Sequence, residues 1–232
     1  MTETLFNLPA APLLPVEGVA DGYPVGRVFC VGRNYAAHAA EMGNEVDREA
    51  PFYFTKSAHH ICLGGATIPY PLGTQDCHHE MEFVVALGAP AFRVREAEAM
   101  AAVYGYACGI DLTRRDLQAT AKDKRRPWDL GKDFEHSAVI GAITPKAEFG
   151  EIGHQAIRLR VDGRVAQEAT LAEMVWSVPE IIAHLSRFYH LAPGDLIYTG
   201  TPAGVGPVVP GNVLLGEIDG LASLHLNIGA AE

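Results

Sequence analysis

The chain has 232 residues, 48% of them hydrophobic, and a formal charge of −10. That is enough apolar material for a substantial core, and the acidic balance excludes a nucleic-acid footprint, since basic residues cluster only from Lys122 to Arg126. No basic leader or membrane-length apolar run is present, so a cytoplasmic protein without membrane contacts is expected. The four cysteines, Cys30, Cys62, Cys77 and Cys108, lack the spacing of a zinc ribbon or disulfide framework and read as small buried hydrophobes.

In chain order, the Pro-rich opening Leu8 to Pro15 reads as part of an extended arm over residues 1–24, leaving 25–232 as a single domain. Val25 to Val31 is an apolar run fit for a strand. Asn34 can cap a helix from Tyr35 to Met42, with Gly43 supplying a left-handed stop. Phe52 to Lys56 is an aromatic strand, and Ile61 to Ile68 resembles a strand interrupted by glycines. The stretch His79 to Leu87 is organised differently. Strand side chains alternate between faces, so Glu80 and Glu82 share one face and Met81, Phe83 and Val85 take the other.

Further on, Glu96 to Val103 carries helix formers, and Tyr104 to Ile110 is a strand that delivers Asp111 at its end. Asp162-Gly163 is a tight hairpin turn between two strands. Ser177-Val178-Pro179-Glu180 is a capping box that opens an amphipathic helix through about His190. Strands follow at Leu196 to Thr199, Val213 to Ile218 and Leu221 to Ile228. Many short strands with few helices, outside any regular βαβ order, predict an α+β, predominantly β architecture and exclude a dinucleotide-binding fold.

Four constellations can carry chemistry. Glu80, Glu82 and Asp111 are three hard oxygen donors suited to Mg²⁺ or Mn²⁺, with Ca²⁺ as a further candidate. Spacing alone leaves Asp111 two roles, joining that pair or capping a helix near Thr113. His38 and Glu41, three residues apart on one helix face, are an acid-base pair or a solvated surface pair. Lys132, behind Trp128 and Gly131, could steady a carboxylate or enolate, or simply keep the chain soluble. The loop Thr199 to Gly206 lacks the Lys-Ser/Thr of a phosphate loop, yet its N–H groups could hold a carboxylate. It also reads as a plain hairpin connection.

The order and wording of these motifs are familiar. Gly32-Arg33-Asn34-Tyr35, then His38 and Glu41, His78-His79-Glu80-Met81-Glu82, Gly109-Ile110-Asp111 through Gln118, Lys132 and Thr199-Gly200-Thr201-Pro202 resemble the fumarylacetoacetate hydrolase family. Within it the likeness is to the short acylpyruvate hydrolases, carried by Ile110 to Gln118 and Trp176 to Ser186. The resemblance implies a mixed β-sandwich roll, a homodimer, and Mg²⁺ or Mn²⁺ on Glu80, Glu82 and Asp111. It also implies a water-activating dyad of His38 and Glu41 on a lid segment. Substrate contacts are implied at Lys132, Arg115, Gln118 and Thr201.

The activity so implied is cleavage of the carbon-carbon bond of a 2,4-dioxo acid. Fumarylpyruvate of gentisate degradation is the favoured substrate, giving fumarate and pyruvate. A 2-oxo acid (oxaloacetate) decarboxylase or isomerase of the same family is the alternative, and a non-catalytic small-acid binding protein the third reading.

Overall fold

The computed structural model describes Leu5, Asn7, residues 9–43 and residues 48–232. Its centre is a curled mixed sheet. Along its path run Phe52–Lys56, Arg27–Gly32, Asp195–Tyr198, Met81–Leu87, Val103–Asp111, Ala138–Ile140 and Ile61–Leu63, and Thr144–Pro145 adds to Val103–Asp111. Most neighbours are antiparallel, but Asp195–Tyr198 runs parallel to Arg27–Gly32, and Ala138–Ile140 parallel to Ile61–Leu63. A second sheet has the order Arg164–Thr170, Ala156–Val161, Val213–Ile218, Leu224–Ala231, Thr67–Tyr70. A small third sheet joins Thr113–Arg114, Cys77–His79 and Gly206–Pro207.

Alternation along Met81–Leu87 explains why the run is apolar on both faces. Met81, Phe83, Val85 and Leu87 pack with Leu159, Leu214 and Leu226 of the second sheet and with Ile181, Ile182 and Leu185 of the helix Val178–Leu185. Val84 and Ala86 face a second core with Ala107, Ile140, Leu196 and Tyr198. Both faces exclude water, so each buried side chain contributes roughly 1.5–3 kcal/mol. The second core is tightly curled. A Cβ at Gly109 would lie 2.5 Å from Val84 Cγ2 and 2.7 Å from Tyr198 Cε1.

Several local expectations hold. Phe52–Lys56 and Val213–Ile218 form the strands expected there. Asp162 and Gly163 both take positive φ, +49° and +78°, as a two-residue hairpin turn of this hand requires. Ser177 and Glu180 form the capping box, with the Ser177 N–H donating to Glu180 Oε2 at 2.8 Å. Among the described residues no helix is long and apolar enough to cross a membrane.

Other expectations are corrected. Of the supposed arm, residues 1–4, 6 and 8 lie outside the described residues, but Leu13–Val16 and Val19–Pro24 pair as an antiparallel hairpin. Leu14, Val16 and Tyr23 are buried in the second core, and the Tyr23 hydroxyl donates to Leu87 O at 2.7 Å. Leu14 and Val16 alternate inward along the first strand, and Tyr23 joins them from the second, which favours folding the hairpin down. Ile61 to Ile68 is two strands in two different sheets. The helix expected through His190 stops at Leu185. Ser186 there turns its groups to the segment Arg93–Val94, accepting from Val94 N–H with Oγ and from Arg93 N–H with its carbonyl.

Candidate metal centre and active site

Glu80 occupies a one-residue gap between Cys77–His79 and Met81–Leu87, where the chain leaves the small sheet and enters the large one. The continuous strand expected from His79 to Leu87 is therefore broken at Glu80. Its backbone carbonyl still accepts from Asp111 N–H at 2.8 Å, which sets Asp111 opposite it at the end of Val103–Asp111. Glu82 follows on the same face as Val84. The three carboxylates offer oxygen atoms that all lie within 4.8 Å of one another, and all three residues are buried. Asp111 joins the pair, and the helix Arg115–Asp123 begins without a side-chain cap.

Three cations pair with two members of this cluster, Glu80 and Asp111. Lys132 Nζ donates to Glu80 Oε2 at 2.8 Å, Asp111 Oδ2 at 2.7 Å and Thr113 Oγ1 at 2.7 Å. Arg115 donates to Glu80 Oε1 at 2.6 Å and to Gln118 Oε1 at 2.7 Å. Lys56, at the end of its strand, pairs with Asp111 Oδ1 at 2.8 Å, both side chains being fully buried. The consequences for ionisation differ between neighbours. Burial alone would raise the Glu80 carboxyl, but Lys132 and then Arg115 hold it well below the usual carboxylate range. Glu82 has no such partner. Burial, then Asp111 and Glu80, push its carboxyl well above the usual range, against one donated bond from Gly200 N–H at 2.7 Å. Lys132 is pushed up to about 12, burial being outweighed by Asp111 and Glu80.

Hard oxygen donors at this separation, one of them without a counter-charge of its own, fit a divalent cation. His78 and His79 take no part in the cluster: His79 Nδ1 meets Gln167 Oε1 at 3.1 Å and His78 Nε2 meets Asp76 Oδ1 at 2.9 Å.

His38 lies on the short helix Ala36–Glu41, its ring buried, with Nδ1 3.2 Å from Glu41 Oε2. A carboxylate can only accept, so this contact places the proton on Nδ1 and leaves Nε2 as the basic nitrogen. Gly43 takes the expected left-handed φ of +69°. Asn34, expected to cap this helix, does not: the position before Ala36 is Tyr35, and no side chain caps the helix start. Asn34 Nδ2 donates to Thr199 O and Trp176 O at 2.8 and 3.0 Å, and its Oδ1 accepts from Trp176 N–H at 2.6 Å, tying the helix entry to two remote segments.

The Gly-rich loop after Asp195–Tyr198 also holds carboxylates, as its N–H groups suggested, but those of the protein. Gly200 N–H donates to Glu82, and Gly204 N–H to both Glu41 oxygens at 3.1 and 3.2 Å. A cavity of about 30 Å³ is bounded by His38, Glu80, Glu82, Arg115, Gln118, Lys132 and Thr201. Asp111 is linked to it through Lys132, and Glu41 through His38.

Two residues of the site escape sequence reasoning. Lys56 shares a strand face with Phe52 and Phe54, a place where a lysine is out of character, and that oddity is the one available signal. Gln167, buried in a hairpin strand, accepts from Met81 N–H at 2.9 Å and donates to Thr201 Oγ1 and Pro202 O, each at 2.8 Å. Nothing local marks it.

A curled mixed sheet with three acidic side chains at one end and a histidine–glutamate pair across from them defines a class. The chain belongs to the fumarylacetoacetate hydrolase family, whose C-terminal domain model matches residues 27–228. Among the relatives, a fumarylpyruvate hydrolase of Ralstonia sp is 50% identical over 194 residues, spanning 82% of this chain and all of the relative. The crystal structure of fumarylpyruvate hydrolase from Pseudomonas aeruginosa in complex with Mn²⁺ and pyruvate superposes with a TM-score of 0.95. It is 44% identical, covering 98% of this chain and 100% of that one. An oxaloacetate tautomerase of Escherichia coli is 37% identical over 205 residues, 88% of this chain and 93% of the relative.

Proposed function

We propose that this chain is a metal-dependent hydrolase that cleaves the C3–C4 bond of a 2,4-dioxo acid, with fumarylpyruvate as the substrate and fumarate and pyruvate as the products. The observation that carries the reading is the shared cavity, which Glu80 and Glu82 of the buried carboxylate cluster and His38 of the dyad border together. The likeness to fumarylpyruvate hydrolases, one of them crystallised with Mn²⁺ and pyruvate, supports it.

In this reading Glu80, Glu82 and Asp111 hold Mg²⁺ or Mn²⁺. Such an ion would supply positive charge at the acid end of the substrate, where negative charge develops during cleavage. His38 Nε2 takes a proton from water while Glu41 keeps the ring oriented and stabilises its charged form. The hydroxide adds to the C4 carbonyl carbon. The C3–C4 pair of electrons then moves into the pyruvate enolate, and the proton held by His38 returns to C3. Lys132 adds fixed positive charge on the side where the enolate develops, and Arg115, Gln118 and Thr201 orient the acid. The proposal includes a cytoplasmic homodimer.

A dyad able to generate hydroxide favours hydrolysis over tautomerisation or decarboxylation, which need only enolate stabilisation. Incubating the protein with fumarylpyruvate and Mn²⁺ should abolish the dioxo enol absorbance with one pyruvate formed per substrate lost. Carbon dioxide release or keto–enol exchange of oxaloacetate without any cleavage of fumarylpyruvate would overturn the proposal, and so would binding without turnover.

A further inference from the structure

The cavity carries two cations that the chemistry above leaves unused. Arg33, directly after the strand Arg27–Gly32, and Lys122, on the helix Arg115–Asp123, both border it together with His38 and Glu80. The other cations there are committed, Lys132 to Glu80, Asp111 and Thr113, and Arg115 to Glu80 and Gln118. Arg33 has no hydrogen bond or ion pair among the described residues, and the Lys122 ammonium meets only the face of Trp128, 5.1 Å from the ring centroid.

Like charges converge here, and the one carboxylate that acts on Lys122, Glu80, is already paired with Lys132 and Arg115. Burial, then Arg115 and Arg33, lower the pKa of Lys122, so the ammonium sits in a field that an arriving anion would relieve. The backbone adds a second cost. Arg33 takes φ +58°, a left-handed conformation that costs a non-glycine residue of order 1–3 kcal/mol. The bonds from Asn34 to Thr199 and Trp176 anchor the next residue in place. Glycine, which would adopt this φ freely, stands one position earlier, at Gly32. A strained arginine and a crowded lysine persist where their charge is used.

We infer that Arg33 and Lys122 form the subsite for the second carboxylate of a dicarboxylic substrate, the one remote from the bond that breaks. The inference rests on the proposed function and deepens it, because it makes a terminal carboxylate the feature by which the site selects among acylpyruvates. Trp128 and Phe54, which also border the cavity, provide the apolar wall for the rigid alkene between the C4 carbonyl and that carboxylate. The arginines nearest at hand in sequence do not line the cavity. Arg114 lies over the Phe134 ring at 4.2 Å and donates to Leu130 O, and Arg126 borders the adjoining cleft that shares Phe54 and Trp128 with it.

The test compares fumarylpyruvate with acetylpyruvate, which lacks the terminal carboxylate, in wild type, Arg33→Gln, Lys122→Met and Arg33→Gly, each loaded with Mn²⁺. The ratio of kcat/KM for fumarylpyruvate over acetylpyruvate should fall about 10- to 100-fold in each variant, mainly through KM for fumarylpyruvate. Arg33→Gly should lose the same selectivity with a Tm no lower than wild type, which separates loss of the charge from loss of the fold. A ratio within twofold of wild type in all three variants would overturn the inference and leave the hydrolase reading standing. Wild type that cleaves neither compound would overturn both.

Discussion

Replacing Lys56 by methionine should make the protein less stable and at the same time tighten its grip on a divalent ion. The ammonium lies 2.8 Å from Asp111 Oδ1, and both side chains are fully buried. At an effective dielectric of 20 that separation corresponds to about 6 kcal/mol of attraction, from which the relieved desolvation of the lysine must be subtracted. Breaking a buried pair by removing one partner costs about 3–5 kcal/mol. Asp111 keeps Lys132 at 2.7 Å, and methionine restores most of the apolar volume, so the low end applies, about 3 kcal/mol. For a chain of this size the Tm should drop by roughly 6–12 °C in EDTA.

The variant removes one of the cations around Glu80, Glu82 and Asp111 and leaves Lys132 and Arg115, so the cluster becomes more negative by one charge. Mn²⁺ should then bind more tightly, and saturating Mn²⁺ should return much of the lost Tm. Scanning calorimetry in EDTA and in Mn²⁺, with isothermal titration of the metal-free protein, measures both halves. A Tm within about 2 °C of wild type in EDTA, or weaker Mn²⁺ binding, would refute the charge balance drawn for the site.

His38→Ala should keep its affinity for Mn²⁺ while kcat falls about 10²- to 10⁴-fold, and wild-type turnover in that variant would remove His38 from its role as base. The pH dependence of stability should carry the mark of Glu82. Its carboxyl is raised in the folded protein, so the metal-free fold retains a proton that the unfolded chain releases above the ordinary value of 4.5. Stability from this group is therefore complete below that value and declines as pH climbs toward the raised one. Glu82→Gln should flatten the decline in EDTA, and the Tm gain from Mn²⁺ should grow with pH across the same window. Parallel Tm curves for the two proteins would contradict this.

The parts of the fold that could be read in advance are those decided within a few residues. Asp162-Gly163 needs no tertiary partner to favour its turn, and Ser177 with Glu180 closes its capping box locally. The carboxylates Glu80, Glu82 and Asp111 were legible because acidic groups at buried strand positions demand a compensating charge. What compensates them was less so. Lys56 and Gln167 act across 55 and 86 positions of sequence on Asp111 and Met81, distances over which pattern carries no information. Asn34 shows how a local rule can be overridden. Its residue type suits a cap, but Trp176 and Thr199 offer three hydrogen bonds where the helix offers one or two. The hairpin from Leu13 to Pro24 was hidden by its prolines, which suggest an extended chain whether or not a partner strand is present.

The turn between Gly200 and Gly204 grips Glu82 at one end and Glu41 at the other. A single short segment therefore has two separate handles on the site. A change at the Gly204 end would loosen Glu41 and leave Glu82 in place, whereas a change at the Gly200 end would release Glu82 itself.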